Sequence, residues 1–267
     1  MSEPEFGHAT VMTTDPMVIR SSALAVLLLA LAACNAAPVT GNSVVRNEKY
    51  VTPTASEAMQ ALPEAEQRAR AFKAVFGKAE PVEGEEGFST KAGKLIWQGD
   101  RAVLMTVTEA DEEAGACHAC SGSLGIYYLA AEGDGFRVTG KFPEAVPGNG
   151  FGGAPSEWSI SDKFGPVPVI YSEAGWTGQG VTCTNFRLTE LRVDKPVEVA
   201  NVPIYYDDSE FGSPLAKGGQ IEGKFGEIVP GKSFTIHYKG FMTFDETWRR
   251  GGNGAYQLAN KTRMPTC

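Results

Sequence analysis

The 267 residues carry 24 Lys and Arg against 32 Asp and Glu, a net charge of −8 that argues against a basic surface for nucleic acid or anionic lipid. The length suits one substantial domain. Past residue 33 there is no second long apolar run, so nothing beyond an attached lipid is expected to enter a bilayer.

Residues 1–16 contain Glu3, Glu5 and Asp15 and no Lys or Arg, a poor start for an export signal, whose first segment should be basic. Met17 to Ser22, with Arg20 as its charge, has the right character, so translation is expected to begin at Met17. The apolar run Leu24–Ala30 is too short to span a bilayer and the right size for a secretory signal. It closes in Leu31-Ala32-Ala33-Cys34. That tetrapeptide resembles the lipobox of bacterial lipoproteins. The resemblance implies a diacylglyceryl group on the Cys34 thiol, removal of residues 1–33, and acylation of the new amine, with palmitate as a usual chain. Two or three chains anchor a protein stably where one does not. Asn35 in the next position resembles lipoproteins sent to an outer membrane. The expected address is therefore the cell membrane or outer membrane, with the domain outside the cytoplasm. A buried helix ending in an ordinary thiol is the competing reading of the same stretch.

Residues 34–53 are polar and rich in small side chains, and are expected to form a lipidated tether, leaving 54–267 as a single domain. Ser56 is placed to cap a short turn. A helix is expected over 63–76, with Pro63 at its first position, Glu64 and Glu66 in its first turn, and Gly77 ending it. Ala65, Ala69, Phe72 and Phe76 give it one apolar face. Such a helix is marginal alone and must pack on the domain.

From Lys94 the pattern turns to short runs rich in β-branched and aromatic residues, bounded by Gly or Asp. Strands are expected at 94–97, 102–108, 124–129, 135–139, 158–160, 167–171, 185–191, 197–202, 219–225 and 233–238, with a last one at 255–258. Gly133-Asp134-Gly135 reads as a hairpin turn. The fold class is thus mainly β, an antiparallel meander with a short N-terminal helix. Trp97, Trp158 and Ile221 are each taken to open a strand at a spacing of about sixty residues, which suggests blade-like repeats. Closed propellers usually need at least four blades, so an open stack, a sandwich or one irregular domain compete with that reading.

With Cys34 assigned to lipid, Cys117, Cys120, Cys183 and Cys267 remain, an even number that reads as two disulfides in an exported chain. The pairing expected is Cys117–Cys120 with Cys183–Cys267, the second tying back the C-terminus. Cys117-His118-Ala119-Cys120 lacks the His that haem attachment needs after the second Cys. A redox pair needs an electropositive setting, yet Glu109, Asp111, Glu112 and Glu113 precede it. Zinc held by Cys117, Cys120 and Cys183 with His118 or His237 satisfies the ligand count but has no second close pair. No metal and no cofactor are expected.

Two Gly-rich runs, Gly148–Gly153 and Gly175–Gly180, lack the features of a phosphate cradle. In the second, Trp176 and Gln179 could form a ligand-binding loop, the Trp stacking on a sugar or peptide. No Gly-x-Ser-x-Gly elbow accompanies the His residues, and the many carboxylates locate no glycosidase pair. Ala71–Phe76, the Cys117–Cys120 loop and Gly175–Gly180 together are similar to exported bacterial proteins of mostly β structure, which implies an architecture and no activity. The expected role is non-catalytic: a module presenting loops to an envelope protein or glycan. The alternative is an envelope enzyme, either a thiol–disulfide protein using Cys117 and Cys120 or a hydrolase of cell-wall or sugar substrates.

Overall fold

The computed structural model describes residues 52–110, 121–150, 153–209 and 219–266. The lipobox with Cys34, the tether to residue 51, and Cys117, His118, Cys120 and Cys267 lie outside them.

The first described elements are two helices. In α1 (Ala55–Gln60) the cap is Thr54 rather than Ser56: its Oγ1 accepts from Glu57 N at 3.2 Å while Glu57 returns to the Thr54 N–H at 2.8 Å. This reciprocal bond satisfies two donors at once, which Ser56, already inside the helix, could not do. The second helix, α2 (Glu64–Phe76), begins one residue later than expected, with Pro63 at the cap position instead of the first helical one, and ends as expected at Gly77, in the left-handed region at φ 76°. The Gly77 N–H bonds back to Lys73 O.

Thirteen strands follow among the described residues, in two antiparallel sheets, a mainly β fold as the sequence pattern implies. The first sheet runs in chain order through β1 (Val82–Glu83), β2 (Phe88–Gln98), β3 (Arg101–Ala110), β4 (Ser123–Glu132) and β5 (Gly135–Pro147). Its central strands β3 and β4 are buried on both faces, which explains their near-continuous apolar runs. Ala102, Leu104, Tyr127 and Leu129 face α2, where Ala71 and Phe72 fill the interface. Val103, Met105, Leu124, Ile126 and Tyr128 face the other way.

The second sheet is β6 (Glu157–Ser161), β7 (Val169–Gly178), β8 (Val181–Leu191), β9 (Pro196–Asp207), β10 (Gln220–Val229), β11 (Ser233–Gly240), β12 (Phe244–Arg250) and β13 (Tyr256–Leu258), each hydrogen-bonded to the next. One face of β6 to β8, carrying Trp158, Ile160, Ile170 and Leu191, packs on the first sheet. The rest curls over the opposite face. Phe225 of β10 therefore touches Tyr171 of β7 and Phe186 of β8, with ring centres 5.9 and 4.8 Å apart. The loop after β6 closes the curl, because the Phe164 carbonyl accepts from Gly231 N at 2.8 Å and from the Tyr256 hydroxyl at 2.9 Å.

Three points differ from the sequence reading. The meanders β6–β9 and β10–β13 are joined edge to edge through β9 and β10, so they do not stand as separate blades. Trp97 lies at the end of β2, not at the opening of a strand. The run Phe244–Arg250 is a strand although four of its seven residues are charged. Its outward positions face solvent while Phe244 and Glu246 are buried.

Candidate functional site

The site arises where two neighbouring strands part. β9 and β10 pair through Gln220↔Asp207, Ile221↔Tyr206 and Glu222↔Tyr205 only. Beyond Glu222, β10 keeps its ladder with β11 alone among the described residues, while β9 continues along β8. A shift of register at Thr184/Asn185 helps β9 diverge. The fork opens a groove of about 530 Å³. Ile204 and Tyr205 form one arm, Glu222 to Phe225 the other, and Thr184, Tyr171, Glu173 and Glu157 the floor.

The groove is acidic and aromatic. Glu157 of β6 stands directly opposite Glu173 of β7. Like charges in that position repel. The Tyr171 hydroxyl donates to Glu173 Oε1, and burial first, then that carboxylate, push the Tyr171 phenol above its ordinary range. Tyr171 stacks on Phe186 at 5.7 Å and meets Phe225 edge-on, so the floor is built on the aromatic core. On the far arm, Glu222 pairs with Lys224 at 3.1 Å, both well exposed. Beside the fork, Tyr205 donates to Asp207 at 3.2 Å. Asp207 also accepts from the hydroxyl and N–H of Ser209, and these bonds hold its carboxyl below the usual range.

This arrangement attracts a cation. Three carboxylates face one lysine, and the adjoining rings offer faces and edges to an ammonium or guanidinium group. The sequence reading did not single out Glu157, Tyr171, Glu173, Tyr205 or Glu222. The two-residue spacing of Tyr171 and Glu173, one face of a strand, is the only local signal they carry.

Trp176 and Gln179 belong to one β-hairpin rather than to a loop of the expected kind. Trp176 lies in β7, and Gln179-Gly180 make a tight two-residue turn into β8 with both φ angles positive, 51° and 75°. The Trp176 ring lies across Gly178, where a Cβ would fall 2.4 Å from it, and remains 48% exposed. By strand alternation it points to the opposite face of β7 from Tyr171 and Glu173. The hairpin tip and the groove are thus separate surfaces.

Cys183, the only cysteine among the described residues, is buried and disulfide-bonded, so it is not an open zinc ligand. His237 is exposed and engaged by Asp245 at 2.7 Å. Among the described residues no group of His, Cys, Asp and Glu is arranged to hold a metal, and no helix is long and apolar enough to cross a membrane. Comparison of the chain with protein-family models, with curated proteins and with solved structures finds no match.

Proposed function

We propose that this is a lipid-anchored protein of the bacterial cell envelope, held by acyl chains on Cys34, whose β domain is a non-catalytic module that takes its ligand in the fork between β9 and β10. The observation that carries the binding reading is the groove itself, in which aromatic and carboxylate side chains from four strands, β6, β7, β9 and β10, converge on one cavity. Concave sites with convergent polar groups are a usual form of ligand site. The anchor rests on the tetrapeptide Leu31-Ala32-Ala33-Cys34 and the apolar run before it. Asn35 directs the protein to the outer membrane where the host has one.

Two measurements test this. Cys34→Ser should abolish palmitate labelling and release the protein from membranes, and retention in high salt without label would contradict the anchor. A photo-crosslinking residue at Tyr205 should form an adduct in intact cells that one at Lys239 does not. Equal adducts from both positions, or turnover of a cell-wall polymer that Glu173→Gln abolishes, would contradict the binding reading.

A further inference from the structure

We infer that the fork receives an extended segment of a partner polypeptide, paired to the free edge of β10 and carrying one Lys or Arg side chain into the space among Glu157, Glu173 and Glu222. This rests on the groove being the ligand site and names what fills it.

Backbone, charge and aromatic surface each bear on the occupant. From Gly223 onward, the side of β10 that faces the groove has no ladder partner among the described residues, although its other side is paired with β11 as far as Val229. A strand edge of this kind is a template for another chain, whose main-chain groups would complete the ladder that β9 abandons at Tyr205. A free amine or sugar would leave that edge to water.

Charge selects the side chain. Glu157 and Glu173 oppose each other across β6 and β7, and the cation nearest the groove, Lys224, is turned to Glu222. A second positive charge would relieve the repulsion between the two glutamates. Without residues 1–33, which carry Glu3, Glu5, Asp15 and Arg20, the chain keeps a net charge of −6, which steers a basic partner in the same sense. The rings of Tyr171 and Phe225, in edge contact at 5.9 Å, offer the surface on which the alkyl stem of Lys or Arg lies while its head reaches the carboxylates.

The experiment uses the full-length lipoprotein in detergent and three probes: a capped peptide Thr-Val-Lys-Val-Thr, the same peptide with Glu in place of Lys, and spermidine. Hydrogen exchange and calorimetry are read together. The Lys peptide should slow exchange at Gly223 to Phe225 and bind at least about tenfold more tightly than the Glu peptide. Glu157→Gln with Glu173→Gln should weaken it by about tenfold and flatten its salt dependence. Glu173→Gln keeps an acceptor for the Tyr171 hydroxyl, and an unchanged thermal melt shows that the fold is intact. Equal binding of the two peptides, or unchanged exchange at Gly223 to Phe225, overturns the inference. Spermidine binding that the double variant abolishes, without peptide protection of β10, also overturns strand addition and leaves the groove standing as a ligand site. Failure of the groove reading is instead seen in the crosslinking at Tyr205.

Discussion

Glu190 of β8 and Arg250 of β12 meet at 2.6 Å, although three strands lie between theirs in the sheet. Only a sheet curled on itself brings them together. Glu190 is almost wholly buried and is also bonded by Arg192 at 2.8 Å, while Arg250 lies over the Tyr256 ring at 5.6 Å. Removing one partner of a buried pair leaves a desolvated charge without compensation. Glu190→Ala should therefore destabilise the domain by about 3–5 kcal/mol, with Glu190→Gln milder. Denaturant melts check this, and a change below about 1 kcal/mol would show that the pair does not close the curl.

A second carboxylate fixes the C-terminal tail. Glu246 of β12 accepts from the Thr262 hydroxyl at 3.0 Å with both oxygens and from Arg263 N at 2.6 Å. Met264 is buried beyond it, and the Arg263 guanidinium lies 4.4 Å above the Phe244 ring. Glu246→Ala should cost about 1–3 kcal/mol through the orphaned donors. It should also loosen this segment, so that trypsin cuts faster after the already exposed Lys261 and Arg263. Cleavage there at the wild-type rate would contradict this role.

The buried tyrosines set an alkaline limit. Burial chiefly raises the phenols of Tyr128, Tyr171 and Tyr238 above the ordinary value of 10.0. A phenol whose folded pKa exceeds its unfolded value stabilises the fold fully below about pH 10, and that contribution is lost as pH rises further. Tyrosinate absorbance at 295 nm should thus show an exposed fraction titrating first. The remainder should appear together with loss of near-ultraviolet circular dichroism. Complete titration with the fold intact would contradict the burial.

Much of the fold was legible in residue patterns, because strand alternation and turn chemistry are local. Gly133-Asp134 turns β4 into β5 as the sequence suggests, and α2 ends at Gly77 as expected. β12 was not legible: Phe244-Asp245-Glu246-Thr247-Trp248-Arg249-Arg250 lacks a β-branched run, and its charges are explained only by distant partners such as Glu190 and Thr262. The groove was hidden for the same reason. Glu157, Glu173 and Glu222 are ordinary surface glutamates until the sheet curls, and nothing in a linear pattern reports where β9 and β10 part. Trp176 drew attention because exposed aromatics beside glycines are conspicuous, yet it packs over its own hairpin.

The base of the fork depends on a close approach. At the end of β11 a Cβ on Gly240 would fall 1.8 Å from the Gln220 carbonyl, which is itself held by the Phe241 N–H at 3.1 Å. Backbone cannot yield as a flexible side chain can. Gly240→Ala should destabilise by about 1–3 kcal/mol and loosen the start of β10. Faster hydrogen exchange at Ile221 and Glu222 would report it, and exchange unchanged from wild type would show that the fork is set elsewhere.

The central claim, that the fork is the binding surface, is tested most directly by amide chemical-shift mapping of the isotope-labelled protein titrated with the Lys-bearing peptide. The account predicts that the largest shifts fall on Ile204, Tyr205, Gly223, Lys224 and Phe225 and saturate together. Shifts centred on Trp176 and Gln179 at the hairpin tip, with the fork unmoved, would contradict it.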